Sequence, residues 1–348
     1  MASFSDSQPY LKMGGKIDPL TEIRNLGIVT SGSVLWVKKT ADDNYTTFAD
    51  QVGASVIRNT VQGAIDLCRT DKNDYVLVVP GDGGTAYALG TAIDVNEDRI
   101  HLLGVGANHA HHGYALTFEG YVSANGIDTE LMKVTGAGCE LGGFRLLGTS
   151  GTAAGGTLSG GFLNFGTASS GTPHDTYVHD VTVENTQSAA AGGTTDLVTF
   201  TGDVGTGIRG VTFDNVWMGN WSWVPAACVR MTGTAGPTRT EFHDCTFVID
   251  AQDATDSFIV LGTGAMEYTS FERCKFINVE AGTAPASAVE GALLVDNPVV
   301  LIDCTGVNVT AFGTDTELLI VPNQSGTAGA GVRNPRIGFI GTAGIVAA

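Results

Sequence analysis

The sequence predicts an all-β fold, a solenoid whose coils are built from short strands. Three observations predict this class. Short apolar segments recur at a steady step, Gly, Asn and Asp separate them, and the stretch TEFHDCTFVID at 240–250 returns in similar form around Cys274 and Cys304. Each coil of a solenoid must turn corners and return to the same register, so it needs short β-branched and aromatic strands between turn residues.

Two families of strands alternate along the chain. One begins near residues 131, 162, 197, 228, 258, 293 and 318, and the other aligns Asp180, Asn215, Cys245, Cys274 and Cys304 at steps of 35, 30, 29 and 30 residues. Helical repeats need stretches of about a dozen residues with helical periodicity, and the segments here are too short. A β-sandwich remains the alternative, although it does not explain a step near 30 residues.

The six cysteines at 68, 139, 228, 245, 274 and 304 permit three disulfides by parity. Equivalent positions on successive coils, however, place side chains about 4.8 Å apart and pointing the same way. A disulfide requires Cβ atoms about 3.8 Å apart. We therefore expect reduced thiols, with Cys245, Cys274 and Cys304 in one interior column.

The N-terminal third supplies two further elements. Residues 1–35 contain two prolines and only short apolar pieces, which predicts an extended arm that docks onto other proteins. We expect residues 36–348 to form the β-helix domain. Within it, residues 56–69 place Ile57, Val61, Ala64, Ile65 and Cys68 on one helical face. We interpret this helix as a cap over the open apolar end of the first coil.

Residues 34–106 carry a resemblance to a known superfamily. The segments LWVKKTADDNY, TVQGAIDLCRTDKNDYVLVVPGD and YALGTAIDVNEDRIHLLGVG resemble the opening of right-handed parallel β-helix proteins of the pectin-lyase-like superfamily. The resemblance implies that fold and the cap. It leaves function open, because the superfamily contains polysaccharide lyases, hydrolases, phage tailspikes and non-enzymatic virion proteins.

Composition limits the partners. The chain has 348 residues with a net charge of −18, and its 18 Lys and Arg are spread thinly, so we expect no nucleic-acid partner. We expect no signal peptide, because the first residues, MASFSDSQPYLKMGG, have neither a basic n-region nor an apolar h-region. We expect no membrane segment, because no run approaches about 18 apolar residues. The acidic, Gly-rich composition resembles that of structural proteins of tailed phages.

Catalytic motifs are sparse. The blocks NTD, DD, GHG and RIK of the superfamily's pectin hydrolases do not occur in order, and the only DD is Asp42-Asp43. An acidic column does precede the anchor positions, and its members are Asp214, Asp244, Glu272, Arg273 and Asp303. Strand alternation points these side chains outward, which favours a solvated row of mixed charge. Asp244, Glu272 and Arg273 are the strongest candidates for a polysaccharide site.

Two other groups of residues invite a function. His109, His111 and His112 lie within four residues, but a zinc site usually needs further ligands, so we favour an exposed loop. Trp217, Trp221 and Trp223 lie near one coil and are suited to stacking on sugar rings, to filling a subunit interface or to packing against a loop. We therefore predict no catalytic, cofactor-binding or metal-binding residues and no cofactor.

Together these observations predict a non-enzymatic structural protein of a tailed-phage virion, made in the host cytoplasm. It would be a capsid decoration protein or a tail fibre or spike component, with residues 1–35 contacting other virion proteins. The resemblance implies a homotrimer, and host-surface glycans are a further candidate partner. The alternative is a polysaccharide-degrading lyase or hydrolase of the tailspike type, with its site around Asp244 and Glu272. A cell-surface adhesin is the third reading.

Overall fold

The computed structural model of the chain describes residues 32–82, 85–105, 116–122, 130–150, 161–166, 173–185, 196–202, 208–221, 227–233, 237–251, 256–261, 268–280, 288–291, 299–309, 312 and 319–320. His109, His111, His112, Trp223 and residues 1–31 of the predicted arm lie outside these ranges. Within them the chain forms three sheets, and every strand pair is parallel.

The first sheet has eleven strands in the described part of the chain. In spatial order they are β2 (Ile57–Arg58), β1 (Val34–Val37), β3 (Asp74–Val78), β6 (Ile100–Gly104), β9 (Glu140–Gly142), β12 (Tyr177–His179), β15 (Thr212–Asp214), β18 (Thr240–His243), β21 (Thr269–Glu272), β24 (Val299–Ile302) and β26 (Leu319–Ile320). Strand β1 begins at Val34, so its first two residues lie within the predicted arm of residues 1–35.

The second sheet has eight strands in these ranges: β4 (Tyr87–Leu89), β7 (Thr117–Val122), β10 (Arg145–Ser150), β13 (Thr182–Asn185), β16 (Trp217–Gly219), β19 (Thr246–Ile249), β22 (Lys275–Asn278) and β25 (Thr305–Val307). The third has seven there: β5 (Ile93–Val95), β8 (Met132–Val134), β11 (Leu163–Phe165), β14 (Val198–Gly202), β17 (Ala227–Gly233), β20 (Ser257–Leu261) and β23 (Val289–Gly291). The chain visits the sheets in turn, so each complete coil contributes one strand to each sheet. The predicted parallel β-helix is confirmed.

The core fills the space between the three sheets with stacked side chains. Phe213, Phe242 and Phe271 occupy one register position on β15, β18 and β21, with ring centroids 4.8 and 4.7 Å apart. Phe247 and Phe276 stack in the same way at 5.0 Å. All five rings are fully buried. Parallel in-register strands repeat every 4.7–4.9 Å, so identical residues on successive coils meet face to face.

The six cysteines are free and buried, as predicted. Cys245, Cys274 and Cys304 lie at one register position, since Thr246, Lys275 and Thr305 pair directly after them. The Cys274 thiol lies 3.4 Å from the carbonyl oxygen of Phe242, one coil back. Burial raises the pKa of the Cys274 thiol well above its ordinary value, so this sulfur is a small core side chain rather than a nucleophile.

The predicted alignment of Asp180 and Asn215 with these cysteines is wrong by one residue. Thr182 pairs with Trp217, and Trp217 pairs with Thr246, so the residues before them, Val181 and Val216, are the true equivalents of Cys245. Asp180 and Asn215 belong instead with Asp244, at a corner where the backbone is left-handed. Asn and Asp tolerate that conformation better than most residues.

Two short helices lie at the N-terminal end. Helix α1 (Tyr45–Val52) was not predicted, and its apolar residues pack against a cluster of Trp36, Ile57, Tyr75 and Leu77 on the outer surface of the first sheet. Helix α2 (Val61–Ile65) is shorter than the helix predicted over 56–69. Within the described residues, no helix is long and apolar enough to span a membrane.

The helix prediction was wrong at its first turn, because Ile57 belongs to strand β2 and pairs with Trp36 of β1. Its side chain therefore joins the outer cluster and not the solenoid core. Val61, Ala64, Ile65 and Cys68 do face the core, as their spacing indicated. Thr60 begins the helix by accepting a hydrogen bond from the Gly63 amide at 3.1 Å.

Candidate functional site

The outward surface of the first sheet carries two groups of ion-paired side chains. Two columns of in-register residues cross strands β6 to β21: His101, Glu140, Tyr177, Thr212, Glu241 and Ser270 in one, and Leu103, Gly142, His179, Asp214, His243 and Glu272 in the other. We call this surface the first-sheet face. Its residues are two apart along each strand, so both columns point away from the core.

The first cluster on this face is centred on His179. Its Nε2 lies 3.2 Å from Glu140 Oε1 on β9, and its Nδ1 lies 3.0 Å from Asp180 Oδ2 at the following corner. Glu140 also receives His101 Nδ1 at 2.6 Å. Glu140 thus joins histidines from the coils on both sides, and the contacts tie three strands together.

These contacts fix the charges of the cluster. A carboxylate can only accept hydrogen bonds, so His179 makes both contacts only when both ring nitrogens carry hydrogen, as an imidazolium. The Glu140 hydrogen bond, followed by that of Asp180, raises the pKa of His179. The hydrogen bonds from His101 and His179 lower the pKa of Glu140 to about 2. An anion and a cation are therefore held side by side.

Tyr177 and Asp214 form the next contact along the face. The Tyr177 hydroxyl donates to Asp214 Oδ2 at 2.9 Å, and its ring stacks on His179 with centroids 4.9 Å apart. Burial, followed by the Asp214 carboxylate, raises the pKa of Tyr177 to about 12. The hydroxyl is therefore a hydrogen-bond donor at neutral pH and not a base.

The second cluster is centred on His243, two strands further on. Its Nε2 lies 3.3 Å from Glu241 Oε2 and its Nδ1 lies 3.3 Å from Glu272 Oε2 on β21. Arg273 donates two hydrogen bonds to Asp244, from Nε to Oδ1 at 2.8 Å and from Nη2 to Oδ2 at 2.7 Å, and it also contacts Glu272. The Arg273 guanidinium lowers the pKa of Asp244.

The two histidines contact carboxylates on opposite sides. His179 contacts Glu140 on β9, the preceding strand of the sheet, whereas His243 contacts Glu272 on β21, the following strand. His179 has room because its register partner is Gly142, where a Cβ atom would lie 2.4 Å from the imidazole. Asp214 on β15 lies between the two rings, paired in register with both residues. The face therefore opens around Asp214, with an imidazole on either side.

One end of the face is closed. Tyr75 stacks on His101 with centroids 4.1 Å apart, and it also belongs to the apolar cluster that helix α1 covers. Towards the N-terminal end the outer surface of the sheet is thus under the helix. Towards the C-terminal coils the polar surface continues through Glu272 and Arg273.

The sequence-predicted candidates fall on this face. Asp244, Glu272 and Arg273 are brought together in the second cluster, and Asp214 lies between the clusters. The outward direction predicted for them is confirmed. Sequence reasoning missed Glu140, Tyr177 and His179. A signal was available, since the pair His-Asp occurs at 179–180 and again at 243–244.

The remaining candidates from the sequence were a metal site and the tryptophans near residue 217. The structure describes no group of three or more His, Cys, Asp or Glu that is arranged to hold a metal ion. Trp217 is locked by a 2.8 Å hydrogen bond from its Nε1 to the carbonyl of Gly219. Trp221 lies against it and is 52% exposed. The His109, His111 and His112 segment lies outside the described residues.

No protein-family model matches the chain, and no curated protein sequence matches it. Solved structures do resemble it. A rice weevil pectin methyl esterase is 9% identical with a TM-score of 0.54, over 86% of this chain and 98% of its own. Pectin methylesterase PemA from Erwinia chrysanthemi is 12% identical with a TM-score of 0.50, over 90% and 94%.

ORF18 of Geobacillus virus E2 also matches, at 12% identity over 80% of this chain and 59% of its own, but its TM-score of 0.35 is too low to support an argument. The prediction that the protein is not an enzyme needs correction, because the structures that share its fold along most of the chain are enzymes. At such low identity the likeness shows the fold alone. The chain has the right-handed parallel β-helix fold of these pectin methylesterases.

Proposed function

We propose that the protein cleaves a polysaccharide by hydrolysis on the first-sheet face, as a tailspike-type glycan-degrading protein. The observation that carries the proposal is the in-register pair of His179 and Asp214 on neighbouring strands, one a hydrogen-bonded imidazolium and the other a carboxylate beside the Tyr177 hydroxyl. Strand spacing separates their backbones by about 4.8 Å. The His179 ring lies towards Glu140 on β9, away from Asp214. Attack by water needs an acid and a base far enough apart to admit that water between them and the sugar.

The roles follow from the protonation states. His179 donates a proton to the glycosidic oxygen as the bond from that oxygen to the anomeric carbon breaks. Its Nε2 contact with Glu140, at 3.2 Å the longer of the two, gives way to the substrate. Asp214 takes a proton from water, whose hydroxyl group adds to the anomeric carbon. Solvent then returns a proton to His179 and accepts one from Asp214.

Elimination is disfavoured by the same residues. A lyase needs a base that removes a carbon-bound proton, but the two contacts of His179 hold it protonated and Tyr177 has a pKa of about 12. Arginine is not deprotonated in proteins, and there is no lysine from Val134 to Cys274. Hydrolysis, which needs a proton donor and a carboxylate, uses the groups that are present.

The assay is release of reducing ends from host-surface and model acidic polysaccharides, with unsaturated uronates measured in parallel. We expect reducing ends without unsaturation, and loss of about 10²–10⁴-fold in kcat in both His179→Gln and Asp214→Asn. Asp303→Asn is the matched control, since Asp303 is an outward acid outside both clusters. Turnover that survives in Asp214→Asn would refute the assignment, and unsaturated products would mean a lyase.

We also propose that the protein works within a tailed-phage virion, on the capsid or in a tail fibre or spike, with host-surface glycan as its substrate. Residues 1–35 would contact other virion proteins, and the assembly would be a homotrimer. The acidic, Gly-rich composition supports this. The tests are the mass of the purified assembly, expected at three times 36.0 kDa, and a density map of the particle. A monomer in solution would contradict the trimer.

A further inference from the structure

Resting on the proposed function, we infer that Asn215 is a positioning residue for the proton donor His179, and that it acts from the next coil through Asp180. Asn215 Nδ2 donates to Asp180 Oδ1 at 2.6 Å. The other oxygen of that carboxylate, Oδ2, lies 3.0 Å from His179 Nδ1. The three side chains therefore form a chain of hydrogen bonds that begins at the corner of one coil and ends at the imidazole of the coil before it.

The second cluster provides an internal comparison. The His-Asp pairs at 179–180 and 243–244 occupy the same place, with the histidine at the end of a first-sheet strand and the aspartate at the left-handed corner that follows. The corner of the next coil carries Asn215 in the first case and Arg273 in the second. The two pairs thus differ in the residue that meets their aspartate.

Arg273 takes both oxygens of Asp244. Its Nε and Nη2 donate to them at 2.8 and 2.7 Å. The ring nitrogens of His243 lie instead 3.3 Å from carboxylate oxygens of Glu241 and Glu272. With an arginine at the next corner, the aspartate is therefore drawn away from the histidine that precedes it.

Asn215 leaves Asp180 with its histidine. A guanidinium presents two parallel N–H donors that match the two oxygens of a carboxylate, whereas a carboxamide donates from a single nitrogen. Asn215 engages Oδ1 of Asp180, and Oδ2 stays in contact with His179. The side chain at the next corner therefore decides whether a His-Asp pair of this kind forms.

The Nδ1 contact matters because the other ring nitrogen turns to the substrate. Further ionisable groups surround the ring on strands β6, β9, β12 and β15, and they are His101, Glu140, Tyr177 and Asp214. Glu140 contacts Nε2, Tyr177 stacks on the ring, and His101 reaches Glu140 from its far side. In the described part of the chain, the side chain that contacts Nδ1 is Asp180. It holds the ring when Nε2 releases Glu140.

The first test is an NMR titration of His179 in the full-length protein, which needs no substrate. Asn215→Arg should give Asp180 the bidentate partner that Asp244 has, draw its carboxylate off Nδ1 and lower the pKa of His179. Asn215→Lys is the matched control, because lysine brings the same charge as a point donor without the fork. The pKa of His179 should fall further in Asn215→Arg than in Asn215→Lys. An equal change in both variants would mean that only the added charge matters and would overturn the inference.

The reciprocal variant tests the same rule at an exposed position. Arg273 is 49% exposed, so Arg273→Asn removes little packing. A crystal structure of this variant should place an oxygen of Asp244 within hydrogen-bond distance of His243. A carboxylate that remains away from His243 would contradict the role of the next corner.

Turnover gives a third readout. Asn215→Arg should lower kcat at least about tenfold relative to Asn215→Lys, with KM within about twofold. The acid must be protonated, so activity falls as pH rises through the pKa of His179. A lower pKa therefore moves the alkaline limb of the pH profile to lower pH. A lower kcat with the alkaline limb unmoved would indicate a merely structural effect and would count against the inference.

The outcomes separate the two proposals. If the pKa of His179 falls further in Asn215→Arg than in Asn215→Lys but no glycan is cleaved by any variant, the positioning stands and the reaction is refuted. If glycan is cleaved and Asp214→Asn abolishes the cleavage, while the two variants titrate alike, the reaction stands and the positioning fails.

Discussion

At the scale of single residues, the first-sheet face depends on a glycine. Gly142 is the register partner of His179, and the imidazole lies where a side chain on Gly142 would project. Its backbone is not in the left-handed region, so the requirement is space and not conformation. Glycine is needed there because the ring must pass over β9 to reach Glu140.

Gly142→Ala should therefore displace the His179 ring while leaving the fold intact. We expect kcat for glycan cleavage to fall at least about tenfold, with a change in unfolding free energy below about 1 kcal/mol. Gly90→Ala is the control, because a Cβ atom there meets nothing within 4 Å. Equal activity of the two variants would show that His179 does not need its position over Gly142.

The Glu140–His179 pair also sets a pH dependence. The pKa of His179 is raised from 6.5, so its stabilising contribution is complete below about pH 6.5 and is lost as pH rises through the folded-state value. The pKa of Glu140 is lowered from 4.5 to about 2, so its contribution is complete above about pH 4.5 and is lost on acidification towards pH 2. The pair stabilises most between pH 4.5 and 6.5.

Urea unfolding of the wild type and His179→Gln at pH 5.5 and at pH 8.5 measures this effect. The difference in unfolding free energy between the two proteins should be larger at pH 5.5 and shrink at pH 8.5. The histidines outside the first cluster cancel in this comparison, and His101, which also contacts Glu140, is present in both proteins. A difference that grows with pH would contradict the protonated state of His179.

At the scale of elements, helix α2 is held by its buried face. Ile65 is fully buried against the core, whereas Leu67, two residues later, is 46% exposed. Ile65→Asp should cost several kcal/mol, because an unpaired charge is expensive in an apolar contact. Leu67→Asp makes the same chemical change at the surface and should cost little. Thermal unfolding of both variants compares them, and equal melting temperatures would mean that α2 does not seal the core.

The sequence predicted two strands per repeat, and the structure has three per coil. The segment around Cys245 forms two strands, β18 and β19, because Asp244 turns the chain at a left-handed corner between them. The helix at 56–69 was only partly predictable. Ile57 suits both a helical spacing and a strand, and pairing with Trp36 on β1 decided between them. The first cluster escaped prediction because Glu140 and His179 meet only across 39 residues of chain, a coil longer than the step of about 30 near the cysteines.

At the scale of the whole molecule, stacked rings join the coils that carry Phe213, Phe242 and Phe271 to one another. Phe242 lies between Phe213 and Phe271, so truncating it removes contacts on both sides. In such a stack, stability is close to a sum of coil and interface contributions. A defect in a central coil therefore weakens two interfaces at once.

Phe242→Ala should lower the free energy of unfolding by about 3–5 kcal/mol. Phe48→Ala on helix α1 is the control, since Phe48 is half-buried on the outer surface and lies outside the central stack. The free energy of unfolding should fall clearly less in Phe48→Ala than in Phe242→Ala. Denaturant titrations compare the two variants, and an equal loss would show that the ring column adds nothing beyond ordinary burial.

The left-handed corners after the first-sheet strands have a consequence for substitutions at the surface. Asp180, Asn215, Asp244, Arg273 and Asp303 share a φ of 52–54°, yet their side chains differ in charge and size. A residue at such a corner must adopt the left-handed backbone conformation, and its side chain points away from the packed interior. These corners also link successive coils, since Asn215 Nδ2 donates to Asp180 Oδ1 at 2.6 Å and Arg273 donates to both oxygens of Asp244. A substitution at such a corner therefore changes the exposed surface and the contact with one neighbouring coil, while the stacked core remains the same.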